Sequence, residues 1–167
     1  MSIIRYYSFL EHELLEECIS YSKEQFTKKS FTFTNHAKWD KNIVLDSAVV
    51  YVHVVPTHHP IMTKLSDAIK DKLKMTPKSQ SVMFYYWMPG SHIPWHNDLG
   101  FEAGLTIYLN KKWDRNQGGL FLYEDNGICA LVPTVNEAVF QQGGIMHAVS
   151  ATTLFSEVRT TIQVFLT

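Results

Sequence analysis

The second half of the chain is divided into short apolar or alternating segments that are separated by turn residues. Eight such segments follow residue 80, and VMFYYWM, GLTIYLN and VRTTIQVFL are three of them. Pairs of residues that favour tight turns lie between the segments: Pro89-Gly90, Gly118-Gly119, Asn126-Gly127 and Gly143-Gly144. Strands at this hairpin-like spacing predict an antiparallel double-sheet sandwich or barrel.

The first half of the chain adds two helices and a strand to this prediction. An apolar stripe at helical spacing predicts a first helix, which a capping box of Ser8 and Glu11 would open. A second helix is expected to begin near Pro60 and to stop at Pro77, and the β-branched residues 48–55 predict a strand between the helices. We therefore expect a mainly β, α+β fold, a double-stranded β-helix (jelly roll, cupin-like) with N-terminal supporting helices.

Length and composition favour one domain, 1–167, in which residues 1–79 supply helical support and the first strands and residues 80–167 form the core. The formal net charge is -1, which predicts no general attraction to nucleic acid or to a membrane. Cys18 and Cys129 are expected to be buried free thiols in a reducing compartment. The first residues lack a signal-peptide pattern and no 18-residue apolar stretch exists, so we expect a cytoplasmic protein. The sequence leaves the oligomeric state open.

The tripeptide His96-Asn97-Asp98 is the clearest candidate for a metal site. Strand residues two apart point to the same side, so His96 and Asp98 would act as paired ligands on or just past a strand end. His147, which follows the Gly143-Gly144 turn, would complete the set. Two imidazoles and one carboxylate leave three positions open on Fe(II), as oxygen chemistry requires. Taken alone, the tripeptide also fits a surface histidine beside a solvated aspartate.

The last predicted strand carries a charged residue among apolar and β-branched ones. By alternation, Arg159, Thr161 and Gln163 share one face with Phe165. A buried arginine is costly unless an anion meets it, and a guanidinium is shaped to bind a carboxylate. Arg159 is therefore predicted to bind a carboxylate, with Thr161 as an additional hydroxyl donor. The alternative is a surface arginine on an edge strand.

Several aromatic residues are candidates for the same interior. Tyr86, ten residues before His96, and Tyr108 could each donate a hydroxyl to a buried carboxylate, although amphipathic core tyrosines are more common. Residues 27–47 are expected to form a loop that shields the mouth of the site. Four more aromatics could equally line a substrate groove or pack the helices: Trp87, Trp95, Phe101 and Trp113.

The stretch from about Ser81 to Leu166 resembles the Fe(II)- and 2-oxoglutarate-dependent dioxygenases, particularly the prolyl-4-hydroxylase-like branch. The resemblance rests on ordered motifs, which are MPGSHIPWHND, LTIYLNKKWDRNQGGLFLYED, His147 and Arg159-Thr160-Thr161. It implies that Fe(II) is held by His96, Asp98 and His147, and that these three residues with Arg159 form the catalytic set. It also implies that 2-oxoglutarate is bound by Tyr86, Tyr108, Arg159 and Thr161.

The activity that the resemblance implies is hydroxylation of a C–H bond by O2, coupled to conversion of 2-oxoglutarate to succinate and CO2. It allows ascorbate as a reductant. The substrate implied is a peptidyl side chain, prolyl included, and the alternative is a free amino acid or small metabolite. A peptide predicts an open groove flanked by Trp87 and Trp113, whereas a small substrate predicts a closed pocket. The intact ligand set disfavours a non-catalytic jelly-roll module, and the lack of a basic stripe disfavours a nucleic-acid substrate.

Overall fold

A computed structural model describes residues 3–34 and 48–167 as two antiparallel sheets with helices against one of them. The larger sheet has the order β1-β9-β6-β11-β4-β3-β2. Its strands are β1 (Ile3–Tyr6), β2 (Phe33–Thr34), β3 (Val50–Val54), β4 (Gln80–Trp87), β6 (Ala103–Tyr108), β9 (Ala138–Gln142) and β11 (Arg159–Leu166). The smaller sheet has the order β5-β10-β7-β8, with β5 (Ile93–His96), β7 (Phe121–Glu124), β8 (Ile128–Leu131) and β10 (His147–Val149). The predicted jelly roll is confirmed.

The two predicted helices are present as α1 (His12–Thr27) and α2 (Pro60–Leu73). The capping box predicted for the first helix is wrong, because its N-cap is Glu11 and no side chain caps it. Instead, the side-chain amide of Asn136 binds both the N–H and the carbonyl of Leu10, at 2.8 Å each. The second helix begins at Pro60 as expected, and the N–H of Ile61 donates to Nδ1 of His59 at 3.2 Å. It ends a few residues before Pro77.

The outer face of the larger sheet is covered by both helices. Alternating residues of β4 and β11, such as Phe84 and Ile162, are fully buried there against Cys18, Leu65 and Ile69 of the helices. Because each strand residue turns its side chain opposite to its neighbour's, the intervening residues face the smaller sheet. This strict alternation gives the larger sheet one face that packs against helices and one that lines the space between the sheets.

Strand register determines which residues meet on the inner face. Arg159 of β11 lies opposite Trp87 of β4, and Thr161 lies between Tyr85 on one side and Tyr108 on the other. The predicted shared face of Arg159, Thr161, Gln163 and Phe165 is confirmed by this register. In the smaller sheet, His147 lies opposite His96. Register therefore brings together residues that are far apart in sequence.

Both cysteines are free thiols, but only Cys18 is fully buried, while Cys129 is half-buried on β8. The expectation that both would be buried is thus correct for the first and wrong for the second. Among the described residues, neither helix has the length and apolar character needed to cross a membrane. Most of the segment 27–47, for which a shielding loop is predicted, lies outside the described residues, and its described part is the end of α1 with β2.

Candidate metal and anion site

Three predicted ligands meet at the end of the smaller sheet. His96 is the last residue of β5, Asp98 lies just past it, and His147 opens β10. One ligand atom from each residue lies within 4.8 Å of the others. Nε2 of His147 is 3.5 Å from Oδ2 of Asp98, and Nε2 of His96 is 3.9 Å from Oδ1 of the same carboxylate. Asn97, which also lines the cavity beside the ligands, donates from its side-chain nitrogen to Sδ of Met146 at 3.7 Å. The predicted grouping of the three side chains is therefore present.

Hydrogen bonds fix both imidazoles in the form that a metal needs. Nδ1 of His96 donates to the carbonyl of Pro94 at 2.8 Å, and Nδ1 of His147 donates to the carbonyl of Ile145 at 2.9 Å. A proton on Nδ1 leaves the Nε2 lone pair of each neutral ring free to bind a metal. Burial, and then the neighbouring His96, lower the pKa of His147 and so favour its neutral form. The site thus offers two imidazole nitrogens and one carboxyl group.

Arg159 lies on the inner face with 1% of its surface exposed. Its Nε and one terminal nitrogen have no hydrogen-bond partner among residues 3–34 and 48–167. The guanidinium carbon lies 5.1 Å from the ring centre of Trp87 and 5.2 Å from that of Tyr108. Burial lowers the pKa of Arg159 because the charged form loses solvation, and the neighbouring Tyr108 hydroxyl opposes that shift. A buried guanidinium with open donors is suited to an anionic ligand.

The loop that precedes β7 leaves room for this arginine. Gly119 has a φ of +64°, and a Cβ on it would lie 2.8 Å from Cδ of Arg159. Both the backbone conformation and the space therefore require glycine. Gly119, predicted as part of a turn and of the family-like motif, thus also leaves the space that the Arg159 side chain occupies.

Tyr108 and Thr161 are placed on the inner face as predicted. The hydroxyl of Tyr108 is buried and has no hydrogen-bond partner in the described part of the chain. Burial raises its pKa to about 12, so that the group stays a neutral donor at physiological pH. The Oγ1 of Thr161 accepts a hydrogen bond of 3.3 Å from the indole N–H of Trp87, which leaves its own hydroxyl proton for another acceptor. Their proposed roles in ligand binding stay predictions.

The structure contradicts the predicted role of Tyr86. This residue faces the helices, and its hydroxyl donates to the carbonyl of Ser22 at 2.9 Å. Its ring packs against Phe26 and Phe31, at centroid distances of 5.0 and 5.7 Å. The register opposite Arg159 and Thr161 turns Trp87 and Tyr85 inward, so Tyr86 is necessarily turned outward.

A cavity of about 270 Å³ joins the metal ligands to Arg159. Its walls include residues that the sequence interpretation did not assign to the site: Tyr85, Ile93, Thr106, Phe121, Gln141 and Val149. Gln163 also lines it, and its side-chain oxygen accepts a hydrogen bond of 2.7 Å from Thr106. Alternation along β4, combined with the correct register, would have indicated Tyr85. Gln141 could not have been found without the fold, because it is close to the ligands only in space.

The four further aromatics divide between the cavity and the surface. None of them belongs to the cluster beneath the helices. Trp87 lines the cavity, and Phe101 stacks on Phe165 of the cavity wall at 4.3 Å. Trp95 is partly exposed, and the indole N–H of Trp113 donates to the carbonyl of Gly118 at 3.0 Å. The predicted groove between Trp87 and Trp113 is therefore wrong, because Trp87 is buried inside and Trp113 braces a turn.

Comparison with solved structures shows the fold. A prolyl-4-hydroxylase from Pseudomonas putida matches with a TM-score of 0.76 and 14% identity over 98% of this chain and 91% of that chain. A prolyl hydroxylase from Trichoplax adhaerens, solved with a hypoxia inducible factor peptide fragment, matches with a TM-score of 0.81 and 13% identity over 98% and 82%. The viral collagen prolyl hydroxylase from Paramecium Bursaria Chlorella virus-1, in complex with 2-oxoglutarate, matches with a TM-score of 0.68 and 14% identity over 99% and 95%.

No protein-family model matches the sequence, and no curated protein matches it. The likeness is therefore one of fold, shared along nearly the whole chain with 2-oxoglutarate oxygenases.

Proposed function

We propose that this protein is an Fe(II)- and 2-oxoglutarate-dependent hydroxylase of the prolyl-4-hydroxylase-like branch. One observation carries the proposal: a single cavity contains a His-Asp-His ligand set and a buried guanidinium with unfilled donors. A structural core rarely keeps such a charge without a partner, since burial without a counter-charge is costly. A ligand that fits both ends must bind a metal at one end and carry an anion at the other. 2-Oxoglutarate has both properties.

The three ligands fit iron. His96, Asp98 and His147 would hold Fe(II) through two imidazole nitrogens and one carboxylate oxygen, a mixed set that leaves open positions on the metal. The backbone carbonyls that accept from both Nδ1 atoms would fix the orientation of the rings. When bound, Fe(II) with 2-oxoglutarate and O2 supplies the oxidising chemistry for C–H hydroxylation and yields succinate and CO2.

The anion end fits the distal carboxylate of 2-oxoglutarate. The unpaired nitrogens of Arg159 can donate to it, and the Tyr108 hydroxyl is a second donor that has no competing partner among the described residues. The rings of Trp87 and Tyr108 lie against the guanidinium, where they keep it away from water and strengthen its attraction to an anion. These residues bind and orient the cosubstrate, and the apolar walls exclude bulk water.

A peptidyl side chain is the substrate class that we propose, with a prolyl residue among the candidates. Leu99 follows the ligand loop directly and has 78% of its surface exposed, and Phe101 reaches the surface while stacking on Phe165 of the cavity wall. This apolar rim beside the metal ligands, and not the groove expected between Trp87 and Trp113, is the surface that suits a chain lying across the opening. The peptide bound in the Trichoplax structure supports the same class. A free amino acid or small metabolite is the alternative.

The experiment that tests the proposed activity is release of succinate from 2-oxoglutarate in the presence of Fe(II) and O2. We expect release by the wild-type protein and its loss in His147→Ala and Arg159→Ala. Thermal melting of each variant checks that the fold is kept, and Gln142→Ala, at an exposed position of β9, is the control. If both variants release succinate as fast as the wild type, the proposal is wrong.

The substrate class is tested by offering the active protein a peptide library and a set of free amino acids. The expected result is a 16-dalton mass gain on peptides, stimulated by 2-oxoglutarate. A mass gain confined to free amino acids would favour the alternative.

A further inference from the structure

Gln141 is buried beside the proposed metal ligands and contacts two of them. Its side-chain nitrogen donates to Oδ2 of Asp98 at 2.8 Å and lies 3.2 Å from Nε2 of His147. Both of those atoms are acceptors, since His147 carries its proton on Nδ1, so the contacting atom of the amide is the nitrogen. Gln141 is 4% exposed, and its oxygen has no partner among the described residues. Within the described residues, the side chain of Gln141 therefore forms hydrogen bonds only with the ligand set.

We infer that Gln141 is a positioning residue of the metal centre, which holds Oδ2 of Asp98 and leaves Oδ1 to bind the metal. This inference rests on the proposed function, because it concerns the same three ligands. A carboxylate has two equivalent oxygens and can rotate about its last bond, so a ligand aspartate needs a partner that distinguishes them. The amide supplies that distinction through a hydrogen bond to only one oxygen.

The neighbouring strand leaves space for this amide. Gly104 of β6 lies opposite Gln141 of β9, and a Cβ on Gly104 would approach the Gln141 nitrogen to 3.1 Å. Any larger side chain at residue 104 would therefore press on the amide. Gly104 thus leaves the space through which the Gln141 side chain reaches Asp98.

When a metal binds, Gln141 should lose its contact with His147 and keep its hydrogen bond to Asp98. The metal needs the lone pair on Nε2 of His147, so the contact between the amide and that nitrogen must be given up. It joins two neutral groups, and water in the cavity can replace it. The hydrogen bond to Asp98 involves a charged acceptor, is the stronger of the two, and is compatible with a metal on the other oxygen. Gln141 therefore favours metal binding by holding the Asp98 carboxylate in one orientation beforehand, so that the ligand loses less conformational freedom when the metal binds.

The test is equilibrium titration of the metal-free protein with Co(II), followed by the visible absorption of the bound ion. Gln141→Met keeps the length of the side chain and removes the amide. We expect it to bind Co(II) about 10- to 100-fold more weakly than the wild type, with altered absorption bands, as is typical when a ligand loses its supporting hydrogen bond. Gln142→Met, on the exposed side of the same strand, is the matched control and should equal the wild type.

A second variant keeps the amide and disturbs only its position. Gly104→Ala should weaken Co(II) binding in the same direction, since the new methyl group presses on the Gln141 side chain. Thermal melting of the metal-free proteins establishes that each variant is folded. Equal or tighter Co(II) binding by a folded Gln141→Met would overturn the inference. If Gln141→Met does not fold, unchanged affinity in Gly104→Ala overturns it instead. Failure of the wild type to bind Co(II) would contradict the proposed function itself, so the two failures are distinguishable.

Discussion

Both faces of the larger sheet carry a buried tyrosine, but the hydroxyls of these two residues differ in their hydrogen bonding. On the outer face, Tyr86 lies among aromatic rings and its hydroxyl is bound to the carbonyl of Ser22. On the inner face, the Tyr108 hydroxyl and two nitrogens of Arg159 have no hydrogen-bond partner in the described residues. The buried tyrosine hydroxyl of the outer face is thus paired within the protein, whereas that of the inner face is not.

This difference supports the proposal that the inner face binds the ligand. Buried polar groups in proteins are almost always hydrogen-bonded, so each exception needs an explanation. Seven buried side-chain atoms lack a partner among the described residues, and four of them belong to Tyr108, Gln141 and Arg159. Three residues that line the space between the sheets therefore account for most of the unpaired atoms. A bound anion would complete the hydrogen bonding of Tyr108 and Arg159, which the protein alone leaves open.

The largest expected effect is on the outer face. Phe84 is fully buried there and packs on Tyr21 at a centroid distance of 5.4 Å. Phe84→Ala should lower the free energy of unfolding by about 3–5 kcal/mol, because it leaves a cavity beneath the helices. Urea denaturation measures the loss. The KM for 2-oxoglutarate of the protein that remains folded should be unchanged, and an increase would mean that the two faces are not independent.

On the inner face, Arg159→Met should impair the use of 2-oxoglutarate without lowering the stability of the protein. Removing a buried charge without a partner should leave the free energy of unfolding of the ligand-free protein equal or higher. The kcat/KM for 2-oxoglutarate should fall by about 30-fold or more, which corresponds to about 2 kcal/mol for a lost buried charge pair. Denaturation and succinate release measure the two quantities. A strongly destabilised variant would show that Arg159 is structural.

Two tyrosine-to-phenylalanine variants compare the faces directly. Tyr86→Phe should lower the free energy of unfolding by about 1 kcal/mol, since the carbonyl of Ser22 loses its donor, and should leave 2-oxoglutarate affinity unchanged. Tyr108→Phe should leave stability unchanged and weaken 2-oxoglutarate about tenfold, as expected for a lost hydrogen bond to a charged group. Denaturation curves and binding isotherms measure both variants. Swapped results would reverse the assignment of the two tyrosines.

The smallest effect concerns the thiols. Burial raises the pKa of Cys18 beneath the helices to about 12, so at pH 8 it is protonated as well as inaccessible. Cys129 is half-buried outside that layer. A thiol reagent at pH 8 should therefore modify one cysteine per native chain quickly, and both only after denaturation. Fast modification of Cys18 in the native protein would show that the helices open readily.

Much of the fold could be predicted because it depends on local patterns. The hydrophobic period and the turn pairs indicate the strands, and the apolar stripe that starts near Pro60 indicates α2. Non-local contacts could not be predicted in the same way. Asn136 holds the backbone of Leu10 just before α1, and it reaches that residue only because the chain folds back.

In the candidate site, too, local sequence patterns could be interpreted, whereas contacts between distant residues could not. The ligand set and Arg159 could be predicted because each has a recognisable residue type in an ordered series. Tyr86 lies on the outer face, although the sequence predicts it on the inner one. Alternation shows which residues of β4 share a face, but only the pairing of β4 with its neighbour shows which of the two faces is the inner one. Gln141 was missed because an isolated glutamine has no pattern, and its meaning comes from its contacts with Asp98 and His147.

The most direct test of the central claim is whether the inner face distinguishes a distal carboxylate. The measurement compares binding of 2-oxoglutarate and 2-oxopentanoate, which lacks that carboxylate, to the Mn(II)-loaded protein. The wild type should bind 2-oxoglutarate about 30-fold more tightly or better, and Arg159→Met should lose most of this preference, because only the neutral hydroxyls of Tyr108 and Thr161 remain for the carboxylate. Equal binding of the two acids by the wild type, or an undiminished preference in Arg159→Met, would contradict the account.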